Sequence, residues 1–197
     1  MGIGRQAKIL TNHQLATLLA WIETRRNAER NRLIVLLSFK AGLRAKEIAS
    51  LRWSMVMNAD GNISGQIALS NEASKGNSGR LIAMNKEVRK QLMKVKESSN
   101  ITIHDAKKFV VQTQRGEGTS AQAIVNMFQE WYRKLGFVGC SSHSGRRTAI
   151  TNWARKASLV GGSLRDVQAM AGHASLTTTS RYIESDSQAQ KKLVNIR

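Results

Sequence analysis

The sequence predicts an α+β fold, mainly α-helical with a small antiparallel β-sheet. Two observations carry that prediction. Through most of the chain, apolar residues recur at three- and four-residue spacing, the period of a helix with one buried face. In the middle alone, two short apolar stretches flank a run of small and polar residues, the pattern of a hairpin.

The elements follow in order. In "LTNHQLATLLAWIETRR", Thr11 and Gln14 have the spacing of a capping box, and Leu10 and Leu15 that of a hydrophobic staple. Leu15, Leu18, Leu19 and Ile22 continue the helical repeat. A second helix, "RNRLIVLLSFKA", stops at Gly42, a residue suited to the left-handed position beyond a helix end. A short third helix runs through "AKEIASLRW". The expected strands are "NISGQIALS" and "RLIAM", joined by "NEASKGNSG". Helix "KEVRKQLMKVKE" comes next, then a third strand in "KKFVVQT". Another helix starts near Thr119, with Gln122 at capping-box spacing, and ends at Gly136. The remainder is helical in three or four short pieces. No internal repeat or low-complexity linker interrupts the chain, so residues 1–197 read as one domain.

Charge narrows the function. With 31 Lys and Arg against 13 Asp and Glu, the net charge is +18. Such a field favours a polyanion, because each neutralised phosphate releases condensed counterions. Nucleic acid is the first candidate and an anionic membrane surface the second. From Trp131 to Arg165 there is no acidic residue, while Arg133, Lys134, Arg146, Arg147, Arg155, Lys156 and Arg165 all fall there. The lone cysteine, Cys140, excludes an internal disulfide and fits a reducing cytosol. No signal peptide and no run of about 20 apolar residues is present, so a soluble cytoplasmic protein without membrane contact is expected.

Four stretches carry candidate chemistry. "AGLRAKEIASLRW" puts Arg44 at a helix start, where a cation is poorly matched to the macrodipole unless it reaches for an anion or for Glu47 at i+3. In "SSHSGRRTAITNWARKA" a helix starting at Ser142 or His143 brings His143 and Arg146 to one side. A proton-handling imidazole beside a bidentate guanidinium is what phosphoryl transfer needs. Lys75 sits at the tip of the expected hairpin and could deliver a proton into a groove. "SLRDVQAMAGHASLTTTSRYI" has the outline of a helix-turn-helix, yet His173 and Thr179 stand where such a motif packs aliphatic side chains. Burying those polar groups without partners would cost about 1–3 kcal/mol each. A DNA-reading helix-turn-helix is therefore rejected on packing.

Taken together, the four stretches resemble the tyrosine recombinase (phage integrase) family in that family's own order. "AGLRAKEIASLRW" resembles its first arginine box, "ASKGNSGRLIAM" its lysine hairpin, and "HSGRRTAI" its H-x-x-R box. "VQAMAGHASLTTTSRYI" resembles the G-H box, followed nine residues later by the nucleophilic tyrosine. The likeness covers roughly residues 8 to 190. It implies the DNA breaking-rejoining catalytic-domain fold and a covalent 3′-phosphotyrosine intermediate, without metal, ATP or other cofactor.

By that resemblance Tyr182 is the nucleophile, His143 its base, and Arg44 and Arg146 the clamp on the nonbridging oxygens. Lys75 protonates the leaving 5′-oxygen, His173 hydrogen-bonds the phosphate, and Glu47 supports the first arginine box. Arg147, Arg155, Lys156, Arg165 and Arg181 are the expected DNA contacts. Expected partners are double-stranded DNA, three further copies in a tetramer on DNA, and accessory DNA-bending or DNA-binding proteins. The segment 184–197 is expected to pack on a neighbouring protomer. Two alternatives share the fold: a catalytically silent DNA-binding protein and a type IB topoisomerase-like relaxing enzyme. Gly145, where the family usually has leucine, and Ala171, before the G-H pair, depart from the family pattern. The N-terminal core-binding domain common in the family is expected to be absent.

Overall fold

The structure is a computed structural model that describes residues 7–74, 79–113 and 118–182. Eight α-helices and one hairpin are formed among those residues: α1 (Asn12–Glu23), α2 (Ala28–Lys40), α3 (Ala45–Ser50), β1 (Gln66–Leu69), β2 (Arg80–Ala83), α4 (Lys86–Ser98), α5 (Ala121–Lys134), α6 (His143–Lys156), α7 (Leu164–Ala171) and α8 (Leu176–Ser180). β1 and β2 pair antiparallel, with Gln66 opposite Ala83 and Leu69 opposite Arg80.

α2 is the central element. Every residue from Leu33 to Phe39 is buried, which marks a helix surrounded by packed neighbours rather than one with a wet face. α1, α4 and α6 pack around it, and α3 lies against α5. The apolar faces of these helices close one main core containing Leu18, Leu36, Trp53, Ile82, Leu92 and Phe128. A second, small cluster of Ile150, Val167 and Ala171 lies beneath the last helices and packs against Trp153 and Tyr182.

Local signals act as expected at α1. Thr11 accepts the Gln14 N–H while the Gln14 side chain accepts the Thr11 N–H, and Leu10 is buried with Leu15 packed on the core. At the end of α2, Gly42 adopts φ +65, and the Leu43 N–H reaches back to the Leu37 carbonyl at 3.1 Å.

Two expectations fail. "KKFVVQT" forms no strand: Phe109 meets Arg52 and Gln112 meets Gly118 only at isolated bridges. Val110 and Val111 are nonetheless buried, so the apolar run reflects core filling and not sheet pairing. The cap of α5 is Ser120, whose hydroxyl accepts the Ala123 N–H, and not Thr119. Gln122 instead donates to Asn126. Lys75 and the segment 184–197 lie outside the described residues.

Candidate active site

Three helix boundaries build the site. The left-handed turn at Gly42 ends α2 and hands the chain to Arg44, which opens α3. Close approach explains the glycine further, since a Cβ there would come within 2.8 Å of Trp153 Cη2 on α6. The Arg44 N–H donates to Glu47 Oε2 and its Nη1 pairs with Glu47 Oε1, both at 2.8 Å. The cation at this helix start is thus matched by Glu47, and its side chain keeps 25% exposure toward the site.

α6 begins at His143, whose N–H donates to Ser141 Oγ at 3.3 Å. His143 is exposed, and Arg146, one turn on, is buried. Arg146 Nη1 donates to the Gly42 carbonyl and Nη2 to the Ala171 carbonyl, both at 2.6 Å. The guanidinium therefore locks the end of α2 to the end of α7. Burial, and then the neighbouring Arg44, bring its pKa down to about 10, so it stays cationic at neutral pH.

α7 ends at Gly172, with φ +62, and α8 follows at once. His173 lies in the turn between them. Its Nε2 is 3.1 Å from Arg146 Nη2 and its Nδ1 is 3.0 Å from Thr179 Oγ1. Because a guanidinium only donates, Nε2 accepts and Nδ1 carries the proton toward Thr179. The two polar groups that argued against a helix-turn-helix thus satisfy one another inside the turn. Burial, then the charges of Arg146, Arg44 and Arg80, push the His173 pKa down to about 4.

Tyr182 follows α8. Its ring stacks on His173 with centroids 5.3 Å apart, and its carbonyl accepts from Thr151 Oγ1 at 3.3 Å. Arg44, His143, Arg146, His173 and Tyr182 all line one open cleft of about 480 Å³. The other tyrosine, Tyr132, is 2% exposed and stacked on Phe128 in the core, with burial raising its pKa. It is not available to a substrate.

Among the expected DNA contacts, Arg147 and Arg181 line the same cleft. Arg155, Lys156 and Arg165 are exposed elsewhere, at the end of α6 and the start of α7. Sequence reasoning missed Ser141 and Thr178 as lining residues, and it missed Arg80, which pairs with the fully buried Glu47 at 2.9 Å. No local signal marked Arg80: in β2 the structure turns the charged residue inward and leaves Leu81 62% exposed, an inversion that the ion pair with the buried Glu47 compensates.

Both departures from the family pattern have packing reasons. Ser38 and Phe39 of α2 fill the space where a larger residue at Gly145 would extend. Ala171 is fully buried against Ile150 and Val167. No helix among the described residues is long and apolar enough to cross a membrane.

The phage integrase family model matches residues 8–189. Tyrosine recombinase XerC of Chlamydia trachomatis is 27% identical over 187 residues, covering 93% of this chain and 56% of its own length. XerC of Leptospira interrogans is 24% identical over 165 residues, covering 83% of this chain and 49% of its own. The chain thus spans about half the length of these curated relatives. Among solved structures, XerA recombinase superposes with a TM-score of 0.72 at 22% identity, over 95% of this chain and 64% of that one. XerH bound to its difH substrate gives a TM-score of 0.70 at 20% identity, over 100% of this chain and 56% of that one. With the family's motifs in order and its fold around one cleft, the chain belongs to the phage integrase family of tyrosine recombinases.

Proposed function

We propose that this chain is the catalytic domain of a site-specific DNA recombinase. It cleaves and rejoins double-stranded DNA through a covalent 3′-phosphotyrosine at Tyr182. The observation that carries the reading is the convergence of Arg44, His143, Arg146, His173 and Tyr182 on one cleft. Two guanidinium groups face the nonbridging oxygens of a phosphodiester and stabilise the charge that develops there. The Tyr182 phenol gives its proton to His143 as it attacks. Lys75 protonates the departing 5′-oxygen, and His173, protonated at Nε2 once the phosphate anion sits among the arginines, donates a hydrogen bond to it. The phosphoester is exchanged for a phosphotyrosine and later returned to a DNA hydroxyl, so the cycle needs no ATP.

Arg147 and Arg181 hold the DNA backbone beside the site, and Arg155, Lys156 and Arg165 extend the contact along it. Strand exchange requires paired sites, so the protein works as a tetramer on DNA in the cytoplasm or nucleoid, with accessory DNA-bending or DNA-binding proteins. The segment 184–197 links neighbouring protomers.

A duplex with a nick beside the cleavage point lets the leaving strand diffuse away and traps the adduct. Wild type is expected to form a covalent complex and Tyr182→Phe none, with DNA binding retained. A wild type that binds without forming an adduct would instead be the silent binder. Relaxation of supercoils without exchange between two duplexes would identify the topoisomerase-like enzyme.

A further inference from the structure

Arg80 does not line the cleft, yet it touches two of the segments that do. It opens β2 on the inward face, and its side chain is 7% exposed. Nη1 and Nη2 donate to Glu47 Oε1 and Oε2 at 2.9 and 3.1 Å, and Nε donates to the Met170 carbonyl at 2.8 Å. Glu47 accepts two further bonds from Arg44, so two arginines share one buried carboxylate.

That sharing has an electrostatic consequence. A lone Glu47 would present Arg44 with a full negative charge in a poorly screened site. Paired with Arg80, it presents a nearly neutral couple, and Arg44 is held by hydrogen bonds more than by net charge. The grip on Met170 acts on the other side of the site. Met170 lies in the last turn of α7, just before Gly172 and His173. A Cβ on Gly172 would come within 2.9 Å of Arg80 Cδ, so the arginine stem packs directly under that turn.

We propose that Arg80 is a positioning residue for phosphodiester binding: it neutralises Glu47, so that the Arg44 guanidinium can turn to a phosphate, and it pins the turn that presents His173. This rests on the recombinase reading above. Arg80 acts through Arg44 and His173, without touching the substrate itself.

The test is single-turnover cleavage of the nicked duplex at saturating DNA, with each variant assayed below its own melting temperature. Arg80→Met is expected to slow adduct formation by roughly 10- to 100-fold, with DNA affinity changed by less than about threefold. Adding Glu47→Gln removes the charge that captures Arg44, and a several-fold recovery of rate is expected. A merely structural Arg80 gives a different result: neutralising the carboxylate left unpaired at Glu47 raises the melting temperature but leaves the single-turnover rate, read below that temperature, where Arg80→Met put it. Should Arg80→Met not fold, Arg80→Lys carries the test. It keeps the cation beside Glu47 but cannot also hold Met170, and a loss of about tenfold is expected. Wild-type rates in Arg80→Met or Arg80→Lys, or no recovery in the double variant, overturn the proposal. A wild type that forms no adduct counts against the recombinase reading itself, whereas an adduct with undiminished rate in the Arg80 variants counts against Arg80 alone.

Discussion

His173 is held neutral by its surroundings: burial and three nearby arginines push its pKa down to about 4 from an ordinary 6.5. An anion among those arginines reverses the electrostatic part of that shift. In ring-nitrogen NMR, the free protein is expected to titrate His173 near pH 4, and DNA binding to move the titration toward neutrality. The same shift couples to folding. The unfolded chain takes up a proton near pH 6.5 and the folded chain only near 4, so this contribution is complete above 6.5 and is lost as pH falls through the folded value. A urea-unfolding series from pH 7 to pH 4 checks the sign. Thr179→Val leaves Nδ1–H of His173 without its partner and should cost about 1–3 kcal/mol. Arg80 could not be read from the sequence in the same way. Its partners Glu47 and Met170 lie 33 and 90 residues away along the chain, beyond any local spacing rule.

Element boundaries were legible where one side chain decides them, as with Thr11 and Gln14 at α1 or Gly42 after α2. They were not where two candidates stand side by side: Thr119 and Ser120 are equivalent hydroxyls, and only Ser120 reaches the Ala123 N–H. "KKFVVQT" misled because β-branched residues fill a core as readily as a sheet. Substitution at the glycines tests the boundaries. Gly42→Ala forces φ +65 on a residue with a Cβ that meets Trp153 at 2.8 Å, and about 1–3 kcal/mol of stability should be lost in denaturant unfolding. Gly145→Ala should destabilise by a similar amount, because the new methyl meets Ser38 and Phe39. Adding Ser38→Gly should restore part of the loss.

Across the whole molecule, the +18 charge sets how DNA binding responds to ionic strength. A contact surface of several phosphates should lose at least about 100-fold in affinity between roughly 50 and 200 mM salt. Fluorescence anisotropy with a labelled duplex measures the slope, and removing Arg155, Lys156 and Arg165 together should flatten it. The cleft itself was legible because each motif is short and its residues share a helix or a turn. What lay beyond sequence was how the motifs are fastened to one another. Arg146 bridges the Gly42 and Ala171 carbonyls as well as facing the cleft, so it serves as a rivet between the end of one helix and the end of another. An inactive protein altered at 146 would report two defects at once, a missing charge and a loosened frame. Tyr182→Phe subtracts a single oxygen from the rim of a minor cluster, which makes it the cleaner genetic probe for separating chemistry from architecture.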